Sequence, residues 1–129
     1  MATILLVNPD SVQAWFYQQE LEDRGFIVHV ATTTPQALSL LKAVKPNLII
    51  LDSGPPGSAG VHSLAKRLSH VADAPVILNA SAMCVDEEVC RQHGWEPAAR
   101  VLKSSDTSSL VSAISRLLQG SRPNADARY

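Results

Sequence analysis

Residues 46–60 read PNLIILDSGPPGSAG, and this stretch decides the fold. Leu48, Ile49, Ile50 and Leu51 are four apolar residues in a row, the length of a strand, and no polar residue alternates with them. Such a run belongs to a strand buried on both faces. Asp52 closes it, and a loop rich in Gly and Pro breaks the chain. Val61, Leu64, Leu68 and Val71 then recur at helical spacing. A doubly buried strand followed by a helix is the unit of a parallel sheet with crossover helices.

The same unit repeats in both directions. Upstream, Thr3 to Val7 reads as a first strand, and Asp10 with Gln13 reads as the capping-box start of a helix that stops at Gly25. Ile27 to Ala31 is a second strand. Thr34 reads as the N-cap of the next helix with Pro35 at its first position, and Ala37, Leu38, Leu41 and Val44 mark its buried face. Downstream, Val76 to Leu78 is a fourth strand, and a polar helix runs from about Val85 to Gly94. Val101 and Leu102 form a short fifth strand. Leu110, Val111, Ile114, Leu117 and Leu118 stripe the last helix. Five strands and five helices in alternation make a (βα)5 domain over residues 1–120, and the polar tail 121–129, which has no apolar periodicity, is expected to be disordered.

Composition narrows the class. The 129 residues are 46% hydrophobic and 18% charged, which suits a folded globule. A formal net charge of −1 offers no electrostatic footprint for direct nucleic-acid binding or for an anionic membrane. No apolar run approaches a membrane span, and MATILLVNP has no basic leader, so a cytoplasmic protein is expected. The two cysteines, Cys84 and Cys90, suit a reducing compartment. With His93 they lack the second close ligand pair that a zinc site needs. No Gly-rich phosphate loop and no G-x-S-x-G elbow occurs.

In open α/β sheets, ligands bind beyond the carboxyl ends of the strands. Those ends supply Asn8, Pro9 and Asp10 after the first strand and Asp52 after the third. Asn79, Ala80 and Ser81 follow the fourth, and Lys103 closes the fifth. A carboxylate and a lysine that end two strands of one parallel sheet can meet at that edge. On the first helix, Phe16, Tyr17 and Leu21 are taken as the buried face, which puts Trp15 on the far side as a candidate anchor for a partner.

The stretches ILLVNPD, PNLIILDSGPPGSAG, APVILNASA and RVLKS, in this order, resemble the receiver domains of bacterial two-component response regulators. The best single match is Asp52-x-x-x-Pro56-x-x-x-Gly60. The resemblance covers residues 3 to 119 and implies a flavodoxin-like three-layer sandwich with strand order 2-1-3-4-5. It implies that Asp52 is the phosphoacceptor, that Lys103 contacts the phosphoryl oxygens, and that Gly54 offers a backbone carbonyl to Mg2+. A histidine kinase or phosphotransfer protein would be the phosphodonor. Output would run through a downstream protein or a homodimer, using the surface from about Val85 to Gln119.

The departures from the family are specific. Its acidic pair after the first strand is replaced by Asn8 and Pro9, and Asp10, one position later, reads first as a helix cap. Mg2+ prefers carboxylate oxygens, so the metal set Asp52, Gly54, Asp10 and Asn8 is expected to bind it weakly or not at all. The family's hydroxyl position falls on Ala80, with Ser81 next to it, and its switch aromatic is Arg100. The expected function is therefore that of an atypical receiver, not an enzyme. Phosphorylation of Asp52 is slow or absent, and the missing acidic pair favours a pseudo-receiver that works through protein contacts. A flavodoxin-like cofactor binder or small enzyme is the alternative, but NPDSV makes a poor phosphate loop and no organic cofactor is expected.

Overall fold

The computed structural model describes residues 2–52, 64–68, 73–80, 88, 90–92 and 94–120. Five strands, β1 (Thr3–Val7), β2 (Ile27–Ala31), β3 (Leu48–Asp52), β4 (Val76–Ala80) and β5 (Ala99–Leu102), form one sheet in the order β2-β1-β3-β4-β5. Every pairing is parallel. The helices are α1 (Ser11–Glu22), α2 (Thr34–Val44) and α3 (Ser108–Gly120), and residues 64–68 and 90–92 are also helical. This is the flavodoxin-like arrangement of the sequence reading, strand order included.

Alternation along the strands divides the apolar residues between two cores. On one face Leu5, Val7, Ile49, Leu51 and Leu78 pack with Ala37 of α2 and with Leu64, Leu68, Cys90 and Trp95. On the other, Ile4, Leu6, Leu48, Ile50, Ile77 and Val101 pack with Ala14, Tyr17 and Leu21 of α1 and with Leu110, Ala113 and Ile114 of α3. Helices on both faces of the sheet make three layers. Asn47 clips the entry to the sheet: its Oδ1 accepts from the Thr3 N–H at 2.8 Å, and its own N–H donates to the Thr3 carbonyl at 2.8 Å.

Several expectations shift by a residue or a turn. The N-cap of α2 is Thr33 rather than Thr34, because the Thr33 side chain is the one that accepts from the Gln36 N–H. Leu40 joins Leu38 and Leu41 against the core, whereas Val44 lies outside that cluster. At α1 the Asp10 carboxylate caps the Val12 and Gln13 N–H groups, yet Gln13 does not return the bond that a capping box requires. The Asp10 N–H donates instead to Asn8 Oδ1 at 2.9 Å. Phe16 is 37% exposed, not buried. The buried stripe runs through Ala14, Tyr17 and Leu21, so Phe16 sits at its margin, edge-on to Tyr17 with ring centroids 5.3 Å apart.

The start of α3 is built from side-chain turns. The Asp106 carboxylate accepts from the Ser108 N–H at 3.0 Å and from its hydroxyl at 2.6 Å. The Ser108 hydroxyl and N–H hold the Asp106 carboxyl below its ordinary range. A depressed folded-state pKa adds stability that is present above the unfolded value and lost as pH falls through the folded one. A Ser108→Ala substitution should move the Asp106 titration back toward that of a free aspartate, as followed by NMR of its carboxyl carbon.

Lys45 closes α2 in the left-handed region, with φ 51°, and donates its N–H to the Leu41 carbonyl. A side chain with a Cβ pays a steric penalty there that glycine avoids. Lys45 is exposed. Lys45→Gly should stabilise the fold by about 0.5–1 kcal/mol, the steric relief exceeding the entropy that glycine loses, as read by urea unfolding.

Candidate functional site

Four strands end in polar side chains on one face of the sheet. In β1, Ile4 and Leu6 face the core shared with α1 and α3, and Asn8 follows with the same parity. Asp52 continues Leu48 and Ile50 in β3, Asn79 continues Ile77 in β4, and Lys103 continues Val101 after β5. Residues two apart along a strand share a face. The sheet order therefore sets Asn8, Asp52, Asn79 and Lys103 side by side along the carboxyl edge.

Asp52 is the centre of this row and is 1% exposed. Its Oδ1 is ion-paired with Lys103 Nζ, and its Oδ2 accepts from Asn8 Nδ2 at 2.9 Å. Lys103 is held for this contact by its own backbone N–H, which donates to the Ala80 carbonyl at 2.7 Å. Asn8 is also 1% exposed, and its orientation is set from both ends. Its oxygen accepts the Asp10 N–H at 2.9 Å, and its nitrogen reaches Gln13 Oε1 at 3.4 Å as well as Asp52. Among the described residues, the Asp52 carboxylate and the Lys103 ammonium offset each other's charge in a nearly dry place. A carboxylate taken out of water survives only with such partners.

At the level of sequence, no family model and no curated protein matches the chain. Solved structures do. The chain is similar to the response regulator TrrA of Thermotoga maritima in complex with Mg2+-BeF, at 22% identity and TM-score 0.73, over 91% of this chain and 99% of that one. It is similar to the BeF3-activated receiver domain of RstA from Klebsiella pneumoniae, at 22% identity and TM-score 0.75, over 91% and 98%. The non-phosphorylated HemR receiver domain of Leptospira biflexa aligns at 22% identity and TM-score 0.75, over 95% and 98%. This is the receiver fold.

Within the receiver fold, Asp52, Lys103 and Asn8 come together, as their positions at the strand ends suggested. Asp10 touches the group only through its backbone N–H, which donates to Asn8; its carboxylate caps α1, accepting from the N–H groups of Val12 at 3.0 Å and Gln13 at 3.1 Å. Ala80 lies inside β4 and packs into the opposite core, because its parity differs from that of Asn79. Arg100 pairs in register with Leu78 and so lies on the opposite face from Lys103. Gly54 and Ser81 lie outside the described residues. Asn79, for which the sequence reading assigned no role, belongs to the row. Its signal was one amide closing an otherwise apolar strand, PVILNA.

Beside the site, α1 leaves an apolar strip uncovered. Trp15 is 62% exposed, as the helical wheel indicated, with Val12 and Phe16 exposed next to it. Among the described residues no group of three His, Cys, Asp or Glu could hold a metal ion, and no helix is long and apolar enough to cross a membrane. Cys90 is buried in the core with Trp95.

Lys103→Met should lower stability by about 2–4 kcal/mol at neutral pH, since it leaves a buried carboxylate without its counter-charge. Asp52→Asn should cost less, because the lysine stem lets its ammonium turn to water. The double variant should resemble Asp52→Asn rather than the sum of the two, a non-additivity that urea unfolding of all four proteins measures.

Proposed function

We propose that this chain is a receiver-type signalling module in which Asp52 accepts a phosphoryl group slowly and with little help from Mg2+. The observation that carries this reading is the buried Asp52 carboxylate at the edge of the sheet, paired with Lys103. A histidine kinase or phosphotransfer protein is the donor, and a second protein or another copy of the chain reads the result. The exposed strip of Val12, Trp15 and Phe16 beside the site supports a role in protein contacts. Residues 1–120 form the signalling domain in this reading, and 121–129 are a tail. Lys103 and Ser81 contact the phosphoryl group, and Arg100 stands at the switch position.

The fold family implies Mg2+, and the residues here do not fit it. Mg2+ requires a nearly octahedral shell of oxygens and prefers carboxylates. Asn8 turns its N–H2 toward Asp52 and spends its oxygen on the Asp10 N–H. The Pro9 side chain has no ligand to offer, and the Asp10 carboxylate is engaged in capping α1. Phosphoryl transfer depends on charge neutralisation, so Lys103 carries most of that work alone.

A second reading has a specific observation in its favour. Both oxygens of Asp52 already hold partners and its charge is already paired with that of Lys103, which suits a module that signals by binding without phosphorylation.

Intact mass after incubation with acetyl phosphate, with and without Mg2+, tests the choice. The expected result is a slow gain of one phosphoryl group, nearly independent of Mg2+ and abolished by Asp52→Asn. Asn8→Asp should make the gain faster and dependent on Mg2+. No gain in the natural protein would favour the second reading, and a rapid gain requiring Mg2+ would overturn the metal-poor pocket.

A further inference from the structure

Asn79 carries a buried amide whose nitrogen finds no acceptor among the described residues. The residue is 2% exposed, and its Nδ2 has no hydrogen-bond partner among the described residues. Buried donors are almost always paired, so an unused one marks either a cost without return or a contact made only in another state. Its position favours the second. Asn79 is the register partner of Asp52 across the parallel β3–β4 pair, and the two share the face on which Lys103 and Asn8 also lie. Side chains so related stand one strand spacing apart, about 4.8 Å.

Two donors to Asp52 are described. Lys103 serves one oxygen of Asp52 and Asn8 serves the other, and the Lys103 ammonium matches the one charge of the resting carboxylate. A phosphoryl group on Asp52 adds oxygens carrying up to two negative charges, and one ammonium does not balance them. A fixed neutral N–H aimed at the place where that charge arrives stabilises it without reorganisation.

We propose that the Asn79 side-chain N–H is a donor to the phosphoryl oxygens carried by Asp52. The inference rests on the reading of Asp52 as phosphoacceptor. In the step concerned, a carboxylate oxygen of Asp52 forms a bond to phosphorus, and the bond from phosphorus to the acyl oxygen of the donor breaks. Acetate leaves with the electron pair when acetyl phosphate is the donor. Asn79 gives and takes no proton; it binds the charge.

Asn79→Leu keeps the branching and the number of heavy atoms and removes the amide, and Asn79→Asp keeps the shape but sets a second carboxylate beside Asp52. The experiment follows phosphoryl gain from acetyl phosphate by intact mass and the thermal midpoint of each unmodified protein. Asn79→Leu should raise the midpoint by several degrees, because it removes an unpaired buried polar group, while phosphoryl gain slows about tenfold or more. Asn79→Asp should slow it further. A lowered midpoint in Asn79→Leu would mean that the amide is already satisfied in the resting protein and would overturn the inference. So would an unchanged rate in Asn79→Leu beside a natural protein that is modified, and the reading of Asp52 would then stand. A natural protein that gains no phosphoryl group would overturn both.

Discussion

The centre of the sheet is covered by helices on both faces, and this leaves a polar side chain few places to sit. Along β1 from Ile4 onward, and along β3 and β4, the residues are apolar and buried until the carboxyl end of each strand is reached. Asn8, Asp52 and Asn79 are therefore nearly dry without being in the middle of the core. Lys103 joins them from the end of β5, bringing a long apolar stem and one charge. The pairing of that charge with Asp52 is what allows a carboxylate to end a central strand. Placed there alone, it would have to lose its charge or open the edge to water.

The chemistry of the site follows from what surrounds this pair. Amides occupy positions on either side of Asp52, so the local charge is balanced by lysine and shaped by dipoles. A site of that kind holds its resting state well, since every described oxygen of the carboxylate has a donor. It is less suited to gathering a hard cation. The amide that reaches Asp52 presents nitrogen rather than oxygen, and the nearest following carboxylate is committed to a helix end. The unused donor on Asn79 is then the residue in which the resting state leaves something to be gained.

Much of this was legible in the chain. The run LIIL, the Asp after it and the repeated alternation of strand and helix patterns were enough for the (βα)5 architecture, because burial on both faces writes an unbroken apolar run. The replacement of an acidic pair by Asn8 and Pro9 was equally plain, since it needs only residue identity. Boundaries were less legible. Thr33 and Thr34 are both good caps, and only the backbone decides which hydroxyl meets the Gln36 N–H. Phe16 lies one helical step from Tyr17, at the edge of the buried stripe, where residue type and spacing do not separate a buried ring from an exposed one.

The sequence by itself determined the class of fold, the candidate pair of Asp52 and Lys103, and the poverty of the site in carboxylates. These depend on local pattern and on composition at strand ends. Tertiary structure decided the partners. The order β2-β1-β3-β4-β5 makes β1 and β4 the neighbours of β3, so residues 44 and 27 positions away from Asp52 in the chain, Asn8 and Asn79, become its neighbours in space. Parity then decides which strand-end residues face Asp52 and which turn away: Asn79 shares its side and Ala80 does not. Hydrogen bonding between distant residues is a property of register, and register is set by how the whole sheet buries its apolar faces.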